Sequence, residues 1–165
     1  MRSFSQKERI TRVIQEYDAQ GWHRSGTDVD YSSAQWLAGR VAECGLDPVL
    51  EPFDLNRVDS ELAYVEIEGR RVAGVPLFDG GFTGHDGVYG SIGPVGSDAE
   101  IAIAEVGPSP REDFTQARRA DKHKGIVAVT PTGPGAAIMN APSFLTPFGP
   151  PVLQVGGEAR EWLVG

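Results

Sequence analysis

The chain has 165 residues, a formal net charge of −8 and a hydrophobic fraction of 40%, which is enough for about one domain with a real core. The negative charge excludes a protein built to bind nucleic acid, because neutralising phosphates requires clustered lysine and arginine. No apolar run reaches the roughly 18 residues of a membrane span and no secretory signal is present, so we expect a cytoplasmic protein without a membrane or nucleic-acid partner.

Two amphipathic helices are predicted at the start of the chain. Ser5 and Glu8 have the spacing of a capping box, and the helix that follows ends near Gly21. The second helix begins near residues 28–30 and ends before Gly45, which suits the left-handed position after a helix. The apolar stripes at helical spacing are Ile10, Val13, Ile14 and Tyr17 in the first helix and Ala34, Leu37, Ala38 and Val41 in the second.

The single cysteine, Cys44, lies in the last turn of the second helix. It cannot form an intramolecular disulfide, which fits a reducing compartment. Nothing near it in sequence would activate the thiolate, so we interpret it as a buried structural thiol.

The pattern then changes to β structure. Val49–Leu55 and Leu62–Glu68 are predicted strands. In Leu62–Glu68 the apolar residues alternate, which places them on one face. Glu68-Gly69-Arg70 is a tight turn, after which Arg71–Val75 pairs back as a hairpin.

A strand–helix–strand pattern follows in the second half of the chain. Glu100–Val106 is a strand, a short helix runs from Phe114 to Asp121, and Gly125–Thr130 has the continuous apolar run of a central strand covered on both faces. Such a connection makes the two strands parallel. A short strand at Val152–Val155 and a helix from Glu158 complete the pattern. The predicted fold class is α/β (α+β), with a helical segment followed by a domain built on a mixed sheet.

The segment Pro76–Gly96 contains a glycine at every third position from Gly81. So much glycine excludes a stable helix and indicates turns and hairpins, or backbone close to a ligand or a neighbouring domain. Its candidate contact residues are Asp79, Phe82, His85 and Asp86. The three polar members could fold onto one metal ion, or they could be turn formers in a solvated loop.

Motifs for catalysis are absent from the sequence. There is no zinc-ligand spacing, no nucleophile elbow and no phosphate loop. Gly133-Pro134-Gly135 follows an expected parallel strand, a position where α/β folds often bind ligands. No helix begins directly after it, so it offers no free N–H groups of a helix start to a ligand. The basic run Arg118–Lys124 is interpreted as a solvated helix face. No catalytic residue and no metal ligand is therefore assigned.

Several segments together resemble the di-zinc aminopeptidase family, which includes bacterial leucyl aminopeptidases and glutamate carboxypeptidases. Trp22–Thr27 (WHRSGT), Ser33–Ala38 (SAQWLA), the helix end at Gly45-Leu46 and the following VLEPFD are similar to its N-terminal region. From about Leu62 the chain resembles the protease-associated (PA) domain inserted in many members. GIVAVT is similar to the central strand of that insert, and PPVLQV to a late one.

The resemblance implies two parts: helices of a peptidase domain in residues 1–50 and a PA-like swivelling β/β/α domain in residues 51–165, incomplete at its C-terminus. The zinc ligands of the family follow the insert, and no position here matches them, so the resemblance implies zinc in the parent family and no cofactor in this chain. His23 matches a motif residue for which we expect a structural role, capping the turn. The implied partner is another protein or the missing peptidase domain.

The final helix pattern stops after two turns, with Trp162 and Leu163 on its apolar side. We therefore expect either a fragment of a longer protein or a chain that a partner completes, with self-association through an exposed apolar C-terminus. Two alternatives stay open at this point. The chain is a stand-alone PA-like module that binds protein, or a small metalloenzyme using Asp79, His85 and Asp86.

Overall fold

The computed structural model describes residues 5–107 and 111–165. It divides the chain into two compact units, Met1–Arg57 and Val58–Gly165. In the part of the chain that is described, no helix is long and apolar enough to cross a membrane.

The first unit contains two helices, α1 (Gln6–Asp18) and α2 (Asp28–Ala42). The predicted capping box is confirmed: the N–H of Ser5 donates to Glu8 Oε2 at 2.8 Å, and the N–H of Glu8 donates to Ser5 Oγ at 3.3 Å. Beyond α2 the φ angle of Gly45 is +80°, as expected for the residue after a helix. Both helices therefore follow from local sequence.

Two predictions for this unit are wrong. The segment Val49–Leu55 forms no strand, and Cys44 is exposed rather than buried. Both errors have one physical cause, since α1 buries no residue and α2 buries only Ser33. Two short helices enclose too little volume to bury the thiol or to offer a partner strand.

The second unit begins with an antiparallel hairpin of β1 (Tyr64–Ile67) and β2 (Arg70–Ala73). The two residues of its turn, Glu68 and Gly69, have φ angles of 51° and 78°. Positive φ at both central residues is the type I′ geometry that matches the twist of the strands. The predicted hairpin is confirmed.

A five-stranded mixed sheet forms the centre of this unit. In spatial order its strands are β3 (Val75–Pro76), β7 (Val152–Val155), β6 (Gly125–Val129), β5 (Ile101–Glu105) and β4 (Ile92–Pro94). Only β3 runs antiparallel to its neighbour. Helix α3 (Glu112–Ala120) connects the parallel strands β5 and β6, and α4 (Arg160–Val164) follows a 3-10 turn at Gly157–Ala159. The chain is thus α+β, with a mixed sheet and a separate antiparallel hairpin.

Both faces of the sheet are covered, and all five residues of β6 are buried. On one face the side chains pack against Phe114 of α3 and Met139 of the long β6–β7 loop. On the other they pack against Val65 of the hairpin and Leu163 of α4. The prediction of a central, doubly covered strand is confirmed.

The two edge strands of the sheet each carry a proline, Pro76 in β3 and Pro94 in β4. Proline has no N–H to offer to a further strand, and both edge strands are short. This combination protects a sheet against pairing with other chains.

The C-terminal helix departs from the expected exposed apolar surface. Leu163 is only 7% exposed, and Trp162 is half-buried with the Arg70 guanidinium 4.7 Å from its ring centroid. The prediction failed because α4 packs onto a sheet face that is assembled from distant segments. Val164 remains exposed, so self-association has little apolar surface at this helix.

Candidate functional site

Asp79, the first candidate contact residue, is buried in an ion pair. One carboxylate oxygen accepts from Arg118 Nη2 at 2.8 Å, and the other accepts from the N–H of Ser143 at 3.3 Å. Its backbone carbonyl accepts from Arg118 Nη2 at 2.8 Å and from the N–H of Phe148 at 3.0 Å. We call this arrangement of Asp79, Arg118, Ser143 and Phe148 the buried clamp. It joins the glycine-rich segment to α3 and to the β6–β7 loop.

The cationic member of the buried clamp was not predicted. Arg118 is 5% exposed, and its guanidinium lies 4.0 Å from the ring centroid of Phe148. Its Nη2 also donates to the Phe148 carbonyl at 3.2 Å, whereas its buried Nε has no hydrogen-bond partner among the described residues. The interpretation of residues 118–124 as a solvated face is therefore wrong at Arg118, because this side chain lies on the inner side of α3.

The same interpretation fails at His123, which is 3% exposed. The N–H of Gly96 points at Nε2 at 3.4 Å, so Nε2 is the acceptor and Nδ1 carries the proton that is donated to the Ala99 carbonyl at 2.8 Å. His123 therefore links the chain after α3 to the residues between β4 and β5. Both ring nitrogens are occupied, as in a structural histidine.

Glycines are required where the clamp brings backbones together. The N–H of Gly81 donates to the Gly149 carbonyl at 3.1 Å. A Cβ on Gly149, whose φ is +75°, would lie 2.5 Å from the Arg118 carbonyl oxygen, closer than real Cβ contacts come. The backbone that approaches the glycine-rich segment closely at this point belongs to the same chain, not to a ligand or a neighbouring domain.

The other candidate contact residues do not join Asp79. His85 and Asp86 are fully exposed neighbours, with 3.9 Å between Nδ1 and Oδ1. Phe82 is 45% exposed, and its ring centroid lies 6.5 Å from that of Phe78. Across residues 5–107 and 111–165, no group of three or more His, Cys, Asp or Glu side chains is close enough to hold a metal ion. The described geometry thus does not assemble the metal cluster considered for Asp79, His85 and Asp86.

The carboxyl edge of the parallel strands, where α/β folds often bind ligands, is occupied by the chain's own groups. Glu158 Oε2 accepts from the N–H of Gly135 at 2.9 Å, and the Gly157 N–H donates to the Gly135 carbonyl at 3.3 Å. Hydrogen bonds from its own backbone N–H and from Gly135 lower the pKa of Glu158. The Gly133-Pro134-Gly135 turn is therefore capped by a carboxylate of this chain.

A second carboxylate, that of Glu105, lies at the same edge of the sheet. Arg160 donates through Nε and Nη2 to the two oxygens of Glu105, at 3.0 and 2.8 Å. These hydrogen bonds, with the charge of the guanidinium, lower the pKa of Glu105 from its ordinary value of 4.5. The pair ties α4 to the end of β5.

This pair leads to a pH-dependent expectation for Glu105→Gln. A lowered pKa in the folded state means that the pair stabilises the fold above the unfolded pKa and that this contribution is lost as pH falls through the folded pKa. Both side chains are about one-third exposed or more, so we expect Tm at pH 7 to fall by no more than about 2 °C. In calorimetric scans the difference from the unmodified chain should shrink as the pH falls below 4.5, the ordinary pKa of Glu, and should vanish once the pH is below the lowered folded-state pKa. Arg160→Gln should behave in the same way, and an undiminished difference at low pH would contradict the assignment.

Gln154 forms a second buried polar link, in β7. Its Oε1 accepts from the N–H of Met139 at 2.6 Å, and its Nε2 lies 3.3 Å from the Pro76 carbonyl and 3.4 Å from that of Val75. One side chain therefore connects the β6–β7 loop to the edge strand β3. The role of Gln154 is therefore structural.

In the first unit, His23 has the structural role that was predicted. Its Nε2 donates to the Tyr17 carbonyl at 2.9 Å near the end of α1, and its ring stacks on that of Tyr17 at 3.7 Å. Its Nδ1 lies 2.8 Å from Ser33 Oγ, which also lies 2.7 Å from both Gln20 Oε1 and the Val29 carbonyl. The hydroxyl has one proton to donate among these acceptors, and its contacts with His23 and Gln20 tie α2 to the end of α1.

One groove in the second unit has an apolar lining. Its volume is about 660 Å³, and it lies beside β4 and the start of α3, with Ile92, Phe114 and Leu163 in its wall. Arg111 and Asp113 at its rim pair with each other at 2.6 Å. The groove can accept an apolar group, and it has no arrangement of nucleophile and base.

Comparisons of the chain with protein-family models, with curated proteins and with solved structures find no match.

Proposed function

We propose that this chain is a PA-like, non-catalytic part of a zinc aminopeptidase-like protein, and that it serves substrate access or protein interaction. The observation that carries the proposal is the occupied carboxyl edge of the sheet. There Glu158 caps Gly135, and Arg160 pairs with Glu105. Polar groups that would hold a small substrate are instead used to hold the fold.

Exposed apolar side chains near the clamped segments support a role in protein contact. Leu145 is 91% exposed, although Ser143 and Phe148 on either side of it are fixed by the buried clamp. Phe82 follows directly after Gly81, which is hydrogen-bonded to Gly149. Rigid loops that present apolar groups to solvent are typical of interaction surfaces.

The helical unit supports the same proposal. Leu37, in the predicted apolar stripe of α2, is 56% exposed, and Tyr31 on the same helix is 68% exposed. An amphipathic helix gains most of its stability from packing its apolar face. In the proposed protein this face of α2 packs against a further protein surface, such as a peptidase domain.

The proposal predicts that the 165-residue chain has no zinc-dependent aminopeptidase activity. Hydrolysis of an amino-acid anilide with added Zn²⁺ should not exceed that of buffer with Zn²⁺ alone. Turnover that requires both the protein and zinc would overturn the proposal. His85→Ala is the matched control for the metalloenzyme alternative, because metal uptake that is lost in this variant would favour that alternative.

A stand-alone protein-binding module of the same PA-like fold is the second candidate, favoured by the exposed Leu145. The gene itself distinguishes the two candidates. A reading frame that continues beyond the codon for Gly165 into His-x-Asp and Glu-Glu motifs favours the peptidase part. A stop codon at that point favours the stand-alone module.

A further inference from the structure

A groove on the first unit combines an apolar floor with basic walls. It has a volume of about 510 Å³ and is lined by Gln6, Arg9, Ile10, Arg12, Val13, Ile14 and Arg40. All the charged residues in this lining are arginines, and Ile10 and Ile14 are more than half exposed. We call it the basic groove. It suits an extended or helical segment with apolar anchors and negative charge.

Two of the three arginines of the basic groove, Arg12 and Arg40, form ion pairs within the unit. Glu16 lies 3.2 Å from Arg12 Nε and 3.8 Å from Arg40 Nη1, and it bridges α1 and α2. Fixed side chains lose less conformational entropy when a partner binds. Arg12 and Arg40 are therefore partly ordered before a partner binds.

The same unit carries a segment of complementary character, residues 46–55, which we call the acidic strap. It contains Asp47, Glu51 and Asp54 and no basic residue. Its apolar side chains point into solvent, since Val49 is 78% and Phe53 is 80% exposed. The strap forms neither helix nor strand. Its composition is therefore the counterpart of the groove, with carboxylates for arginines and apolar anchors for an apolar floor.

The acidic strap is anchored at its far end. Arg57 Nη1 donates to the carbonyl of Gly26, and a Cβ on Gly26 would lie 3.6 Å from Leu55. Prolines at positions 48 and 52 bias the strap toward extended backbone. Its end is thus fixed on the turn between the helices, while its apolar side chains remain uncovered.

We propose that the acidic strap of one copy of this chain docks into the basic groove of a second copy, and that the exchange is reciprocal. The strap does not line the groove of its own unit. The strap is long enough to lie along the groove, because ten extended residues span at most about 33–36 Å and α1 from Gln6 to Ile14 spans about 12 Å. A reciprocal exchange has two-fold symmetry and buries both complementary surfaces twice. The inference does not depend on the proposed peptidase relationship.

The experiment measures the mass of the 165-residue chain by light scattering over a range of concentrations and salt. We expect a dimer that weakens as salt rises, since screening reduces the attraction between carboxylates and arginines. Two charge-reversed variants are compared, Arg9→Glu/Arg12→Glu in the groove and Glu51→Arg/Asp54→Arg in the strap. Each should be monomeric at concentrations where the unmodified chain is a dimer.

The decisive measurement is an equal mixture of the two variants. In a mixed pair, the reversed groove meets the reversed strap and the unmodified groove meets the unmodified strap, so both contacts are complementary and the dimer should return. Asp86→Arg, in the second unit, is the control and should dimerise normally. Circular dichroism confirms that each variant stays folded. A monomeric unmodified chain, variants that still dimerise, or a mixture that stays monomeric would each overturn the proposal.

Discussion

Arg118→Leu is expected to destabilise the second unit by about 3–5 kcal/mol, because removing one partner of a buried ion pair leaves the other charge without compensation. Asp79 is 1% exposed, so water cannot replace the lost guanidinium without the surrounding loops opening. The Phe148 carbonyl also loses a donor. Urea unfolding followed by tryptophan fluorescence gives the free energy of unfolding, with Trp162 as the reporter in this unit.

Arg119→Leu is the matched control, since Arg119 is the next residue of α3 and is exposed. Its effect should stay within about 0.5 kcal/mol. Replacing both partners, as Asp79→Leu with Arg118→Leu, should cost less than the sum of the two single changes, since no buried charge is left unpaired. Equal effects of Arg118→Leu and Arg119→Leu would show that the clamp does not hold this unit together.

Five strands of the second unit, β1, β2, β5, β6 and β7, could be predicted because each has a local signature, whereas the short edge strands β3 and β4 were not predicted. The continuous apolar run of residues 125–130 indicated a strand buried on both faces, and Glu68-Gly69 indicated the hairpin turn. The strand–helix–strand order gave the parallel pairing, since such crossovers leave little choice of topology. These features depend on neighbours in sequence, and the structure confirms them.

The buried clamp could not be predicted, because its two charged members are 39 residues apart. Asp79 is followed directly by Gly80 and Gly81, and this pattern indicated a solvated loop. One signal was available in α3: Arg118 lies four residues after Phe114, on the same side of the helix. An arginine on the apolar side of a helix is a reason to search for a buried carboxylate.

Cys44 was predicted to be buried and is exposed, whereas Leu163 was predicted to be exposed and is buried. Both errors have the same origin. Cys44 follows the apolar stripe of a helix that has no core to face, whereas Leu163 belongs to a short helix that lies on a complete sheet. Amphipathic periodicity identifies which side of a helix is apolar. Whether that side is covered depends on segments far away in sequence.

Gln154→Leu is expected to lower the free energy of unfolding by about 2–3 kcal/mol. The leucine side chain fills similar space, so the loss comes from the buried N–H of Met139, which is left without its acceptor. The Val75 and Pro76 carbonyls lose their donor as well, which weakens the link between β3 and the β6–β7 loop. Gln116→Leu, at an exposed position of α3, is the control and should change stability by less than about 0.5 kcal/mol.

Gln154→Glu separates the role of the acceptor from that of the donor. The carboxylate can still accept from Met139, but at neutral pH it places a buried negative charge against two carbonyl oxygens. Protonation restores a donor, so this variant should lose more stability at pH 7 than at pH 4, relative to the unmodified chain at the same pH. A loss that is equal at both pH values would mean that Nε2 contributes nothing at these two carbonyls. The stabilising contact would then be the single hydrogen bond from Met139, and β3 would be held by its backbone pairing with β7 alone.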